Sequence, residues 1–247
     1  MIYTIILCLI AVVLGILIIP PFIVLPVIAR FKMRFPYDSE LALISHEYLP
    51  KYISEVFSQT WRMIRPDGFE AVMDVLEPEQ EPAMTTTYFR FFVNLKERDM
   101  AFAMISIGGS GEEKQVTGGF MEFWTDFASG NRITTNNNGT PPTFRDVPES
   151  PTFRYPGEMD MHILYTIHQK NLSIYDGEEK ILPPEGEEFK YMRDLLMKDM
   201  EMQVSTGYLY LDKSLNMYRP TWKGAFLMTW KNVIGIIRMK YGTRRKP

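Results

Sequence analysis

Residues 85–95 read TTTYFRFFVNL, with Phe89, Phe91, Val93 and Leu95 at alternate positions and Arg90 and Asn94 between them. Successive side chains of a strand point to opposite faces, so this period of two marks a β-strand. One apolar and one polar face describe a strand of an antiparallel sheet covered on one side only.

Working outward, Lys96-Glu97-Arg98-Asp99 reads as a turn, and Met100 to Ile107 as a second strand. Gly108-Gly109-Ser110-Gly111 with Glu112 and Glu113 forms a loop. Val116 to Phe127 is a third strand, with Met121, Phe123 and Phe127 on one face, and Ser129-Gly130-Asn131 turns into a short strand, Arg132 to Thr135. Short connections between consecutive strands predict an antiparallel meander of about four strands. Upstream, Phe69 to Leu76 has strand composition and Glu77 to Pro82 closes it. Ile53, Val56, Phe57, Trp61 and Ile64 recur at helical spacing between Leu49-Pro50 and Pro66-Asp67-Gly68. They predict a core-facing helix, and a weaker helical turn is expected over Ser39 to Tyr48.

Downstream, Asn136 to Gly157 holds five prolines and reads as a loop. Helices follow over Glu158 to Leu172 and Gly186 to Ser205, with Gly207 placed to cap the second. Residues 207–226, GYLYLDKSLNMYRPTWKGAF, then predict a small hairpin of Tyr208 to Leu211 with Leu215 to Arg219, and a final helix from Thr221 to Tyr241. Helix, two-strand wing and Thr221-x-x-Gly224 opening another helix are loosely similar to winged-helix proteins. That resemblance implies a structural or protein-binding role. The helix that would enter a DNA groove carries Glu187, Glu188, Asp194, Asp199 and Glu201, which phosphates repel.

At the other end, Ile2 to Ile19 is interrupted only by Tyr3, Thr4, Cys8 and Gly15, and the first charged side chain is Arg30. At ~1.5 Å per residue this run reaches roughly 27 Å, close to the thickness of a bilayer core. It predicts a transmembrane helix retained as a signal-anchor, because no basic n-region precedes it. Val27-Ile28-Ala29 offers the alternative of cleavage. Pro20, Pro21 and Pro26 predict a kink near Ile19. Arg30, Lys32 and Arg34 follow the run, so the positive-inside rule predicts a single-pass protein with its body on the cytoplasmic side.

The fold expected is therefore α+β. A transmembrane anchor over 1–29 precedes an antiparallel-sheet domain with helices over 30–140 and a Pro-rich loop over 141–157. A helical part over 158–247 ends in a basic amphipathic helix.

Charge is unevenly placed. The net value is −3, yet no acidic residue follows Asp212, while nine basic ones do. Such a tail suits an acidic partner, and a lipid bilayer, acidic lipids or a protein partner are the expected ones; nucleic acid is not. In the final helix Trp222, Phe226 and Trp230 lie on the apolar arc, Lys223, Lys231 and Arg238 on the opposite side, and Lys240 at its edge. Together with Arg30, Lys32 and Arg34, these residues are the expected contact surface for a lipid or a partner.

Catalytic signatures are weak. Gly108 to Lys114 lacks the G-x-x-x-x-G-K-[ST] order of a phosphate loop, and Glu112 stands where a nucleophile elbow needs glycine. Cys8, the only cysteine, excludes an intrachain disulfide and a cysteine zinc site. His46, His162 and His168 are the only histidines. No catalytic residue, metal ligand or cofactor is assigned. The expectation is a non-enzymatic binding or scaffold protein at a membrane surface. Its alternatives are a hydrolase or transferase using Glu158, Asp160, His162 or His168, and a lipid or small-molecule carrier around Phe89, Phe91 and Phe123.

Overall fold

The computed structural model describes residues 2–37, 41–80, 85–109, 115–145 and 147–241. In chain order the elements are α1 (Ile2–Ile19), a π-helical turn (Pro20–Val24), α2 (Leu25–Lys32), β1 (Phe35–Pro36), β2 (Ala42–Ile44), α3 (Lys51–Ile64), β3 (Glu70–Gln80) and β4 (Thr85–Asn94). There follow β5 (Asp99–Gly108), β6 (Gln115–Phe127), β7 (Arg132–Asn136), β8 (Thr152–Arg154), α4 (Met161–Asn171), β9 (Lys180–Ile181), α5 (Glu188–Ser205), β10 (Leu209–Asp212), β11 (Met217–Pro220) and α6 (Trp222–Tyr241). They form two compact units, one of Met1–Asp38, Thr140–Arg145 and Leu195–Pro247, the other of Ser39–Gly139 and Asp146–Asp194.

The larger unit is built on an eight-stranded sheet in the order β2-β3-β4-β5-β6-β7-β8, with β9 added to β6. The chain is α+β as expected, but a meander of about four strands is too small a sheet, and the sheet is mixed because β8 runs parallel to β7. Two sequence features hid the extra strands. Ser39 to Tyr48 was expected as a helical turn; within its described part Ala42–Ile44 is a strand on β3 and only His46–Tyr48 is a 3-10 turn. β8 lies within the proline-rich stretch read as loop, where three residues suffice to pair with Thr134, Thr135 and Asn136. β3 also runs on to Gln80, past the expected close at Glu77.

β4 departs most instructively from its sequence pattern. Phe91 and Val93 pack with Val75, Met100, Trp124 and Met192 on one face. Phe92 faces the other way, into a core with Phe57, Ile64, Ala101, Phe123 and Leu164. Helices α3 and α4 cover that second face, so the supposed solvent side is buried, and Arg90 and Asn94 are 6% and 1% exposed. The first face is closed by Leu182 and by Phe189, Tyr191 and Met192 from the start of α5. A gap of about 10 Å³ lies beside Phe91, Met100 and Trp124, room for about one water.

In the smaller unit β1, β11 and β10 form a three-stranded antiparallel sheet, so the hairpin expected alone is joined by a strand from near the N-terminus. Its core centres on Tyr208, Leu209, Tyr218 and Met228. Thr221 closes the start of α6: its Oγ1 accepts from the amide of Gly224 at 2.9 Å and donates to the carbonyl of Gly207 at 2.6 Å. A Cβ at Gly224 would stand 1.9 Å from the carbonyl oxygen of Tyr208, so Thr221-x-x-Gly224 is an N-cap joined to a close backbone approach.

The N-terminal expectation is corrected. Among the described residues no helix is long and apolar enough to cross a membrane. α1 is α-helical for 18 residues, where a span takes about 20. Its regular run stops where Pro20 and Pro21 withdraw two donors and the backbone passes into a π-turn. The transmembrane helix, the signal-anchor, the single-pass membrane placement and the cytoplasm-facing body derived from them are withdrawn together. The described part of α1 instead exposes Ile5, Ile6, Leu7, Leu9, Val12, Val13 and Ile16.

Candidate functional site

α2 and α6 pack side by side in the smaller unit, and most of the residues singled out as a contact surface lie on these two helices. On α2, Pro26 and Ala29 are buried and hold the helix down, which turns Arg30 and Phe31 toward its margin. On α6, Ala225, Met228 and Thr229 are buried, so among the described residues the face pressed into the core is rotated toward Met228 from the apolar arc of the sequence. Trp222 and Phe226 fall outside it and stay 56% and 38% exposed.

Aromatic contacts tie the helices together. The ring of Phe22 lies 4.9 Å from Trp230 and 5.9 Å from Phe226, and Phe31 meets Trp222 edge-on at 5.8 Å. Among these rings sits the Arg30 guanidinium, 4.9 Å from the centroid of Tyr210, 5.9 Å from Trp222 and 5.8 Å from Phe31. Its Nε is buried and has no hydrogen-bond partner among the described residues. On β10, the strand of Tyr210, the carboxylate of Asp212 is paired with Arg219 at 3.3 Å.

The other expected contact residues divide. Lys32 and Arg34 are exposed. Lys231 is engaged within the fold, donating to the carbonyl of Phe144 at 2.9 Å, and Trp230 is half-buried. The side chains of Arg238 and Lys240 lie outside the described residues. Sequence reasoning missed Phe31 and Tyr210. Phe31 was legible as the aromatic neighbour of Arg30; Tyr210 needed the strand-to-helix contact.

Of the alternative catalytic residues, the larger unit keeps Glu158, Asp160 and His162 together at the start of α4 and places His168 apart from them. Glu158 accepts from the amide of Asp160, and Asp160 caps α4 by accepting from the amides of His162 and Ile163. His162 pairs with Asp67 at 2.7 Å. His168 is fully buried and belongs to a different network. Among the described residues no group of three His, Cys, Asp or Glu could hold a metal ion.

That network surrounds Asp99. Its carboxylate accepts from Thr125, Tyr165, Gln169 and Lys180 at 2.6 to 2.9 Å, so both oxygens are occupied. Because the Thr125 hydroxyl donates to Asp99, its oxygen must accept from His168 Nε2–H at 3.0 Å. His168 Nδ1 is then the acceptor for Thr135 at 3.0 Å, whose oxygen takes a donor from Asn171 at 3.1 Å. Every step suits a neutral imidazole, and burial holds the His168 pKa down at about 4. A cleft of about 340 Å³ adjoins the cluster at Gln169 and Lys180, but those side chains donate inward to Asp99. Burial, the charge of Asp99 and the hydrogen bond to it raise the Tyr165 pKa, so its hydroxyl keeps its proton.

A second arrangement imitates a catalytic triad. Ser54 Oγ lies 3.2 Å from His46 Nε2, and His46 Nδ1 lies 3.5 Å from Asp74 Oδ2. Arg90 changes its meaning: it binds both oxygens of Asp74, at 2.7 and 2.6 Å, and points Nη2 at His46 Nδ1. Arginine can only donate, so Nδ1 accepts and the ring proton sits on Nε2. A nucleophile's base must offer a lone pair at that nitrogen. His46 is therefore in the wrong tautomer to take a proton from Ser54.

Comparison with family models, with characterised proteins and with solved structures finds no match to this chain.

Proposed function

We propose that this protein is a non-enzymatic binding protein that works at a lipid surface through α2 and α6. One observation carries the reading: Phe31, Trp222 and Phe226 stand exposed beside Arg30, Lys32 and Lys223 on two helices that contain no acidic residue. Exposed rings flanked by basic side chains are the composition of an interfacial helix surface. The rings enter the acyl boundary while the cations meet phosphate, and each basic group near an anionic leaflet contributes ~1 kcal/mol. The exposed aliphatic side chains of α1 add apolar surface to the same unit.

Co-sedimentation of the full chain with phosphatidylcholine vesicles, with and without phosphatidylserine, tests this. Association is expected with both and stronger with phosphatidylserine. Joint replacement W222A and F226A is expected to weaken it about tenfold or more, since each ring contributes on the order of 1 kcal/mol. Both residues also touch Phe22 or Phe31, so the melting temperature is measured alongside and binding is compared below the midpoint of the variant. Wild-type protein that stays in the supernatant, or a double variant that sediments like wild type, overturns the proposal.

A further inference from the structure

Arg30 differs from the other basic side chains around it. Lys32 and Arg34 are exposed, and Lys223 donates to the carbonyl of Thr206 at 3.0 Å. Arg30 is instead held among three aromatic rings, and none of the ion pairs among the described residues includes it. Aromatic faces compensate a cation only partly, and they leave its in-plane N–H donors unmet. α2, β11 and α6 carry basic residues and no acidic one, and the one carboxylate of β10, Asp212, is paired with Arg219.

We infer that Arg30 is the receptor for the phosphate of a lipid headgroup, with Phe31 and Trp222 inserting beside it at the glycerol level. The inference rests on the lipid-surface reading above and specifies the ligand of that surface. A guanidinium fork fits two phosphate oxygens at once, is more weakly hydrated than an ammonium, and here is already immobilised by ring contacts, so little side-chain freedom is lost on binding. A bilayer is favoured over free phosphate because Phe31 and Trp222, each more than half exposed, give a soluble anion nothing to cover.

The test compares R30K, R30Q and K32Q in the full chain with vesicles of phosphatidylcholine containing phosphatidic acid. R30K keeps the charge and the aliphatic stem but loses the fork, and K32Q removes the same charge as R30Q two positions away. Both Arg30 variants are expected to bind about tenfold more weakly, the loss of a charge-assisted hydrogen bond, and K32Q less than about threefold more weakly. R30K binding like wild type, or K32Q losing as much as R30Q, overturns the assignment while leaving lipid association standing. Absence of wild-type binding removes the underlying reading and the assignment with it. Displacement from the vesicles by inorganic phosphate at the lipid's own concentration transfers the site to a soluble anion and also overturns it.

Discussion

His168 shows how a residue that invites a catalytic role becomes a structural one. It joins Thr125 to Thr135 in a chain that ends on Asp99, and it is neutral because burial disfavours its charged form. Its pKa is lowered in the fold, so the unfolded chain binds more protons between the unfolded value, about 6.5, and about 4. Stability therefore rises with pH through that window, is complete above it, and falls on acidification toward pH 4. The loss is expected to reach about 3 kcal/mol, from a difference of ~2.5 pKa units. Urea denaturation at pH 7 and pH 4.5 checks it, with H168Q expected to flatten the dependence. Two further residues yield predictions of their own. An activity-based fluorophosphonate probe should leave Ser54 unlabelled, because Arg90 holds His46 in the tautomer that cannot deprotonate it; labelling detected by peptide mass spectrometry would overturn that tautomer assignment. G224A should cost several kcal/mol, on the order of 3 or more, since backbone and not a flexible side chain blocks the added methyl. Its thermal midpoint measures this.

At the scale of elements, the decisive fact is that β4 is covered on both faces. Its alternation is real, but the Arg90 face is a second core in which the charge is neutralised by Asp74, directly opposite on β3. Periodicity reports which side chains share a face; it does not report whether that face meets water. D74A should destabilise the protein by about 3 to 5 kcal/mol by leaving a buried guanidinium uncompensated, with a smaller effect in the double variant D74A and R90M. Equilibrium urea titrations of the three proteins make the comparison. The same limit applies to α6. A repeat near 3.6 identified an apolar arc, yet among the described residues packing buries Ala225 and Thr229 of it together with Met228 beyond its edge, and Trp222 and Phe226 are left exposed. The contact surface was legible in its residues because aromatic and basic side chains alternate along both helices. The position of Arg30 over Tyr210 was not, since these residues lie far apart in sequence and meet only when β10 folds against α2.

Across the whole molecule, charge segregation sets the expected behaviour in salt. The net charge of −3 predicts weak repulsion from an anionic surface, but the stretch after Asp212 holds nine basic side chains and no acidic one. Association with phosphatidylserine vesicles should therefore weaken on raising salt from ~0.05 to ~0.5 M, as the Debye length contracts from about 14 to about 4 Å, while binding to neutral vesicles changes little. Sedimentation across a salt series reads this directly; salt-independent binding to the anionic vesicles would assign the attraction to the rings alone. Composition, local periodicity and charge order are properties of the chain taken in sequence, and from them alone followed an α+β protein, the strand character of residues 85–95, an aromatic and basic final helix, and an acid-free C-terminal stretch. Tertiary structure alone decided that the sheet has eight strands, that both faces of β4 are buried, that His168 is satisfied and that Arg90 stands against Nδ1 of His46, and that the N-terminal helix stops short of a span. Each of these depends on which distant groups share hydrogen bonds or exclude water from one another, and that is settled by packing across the chain.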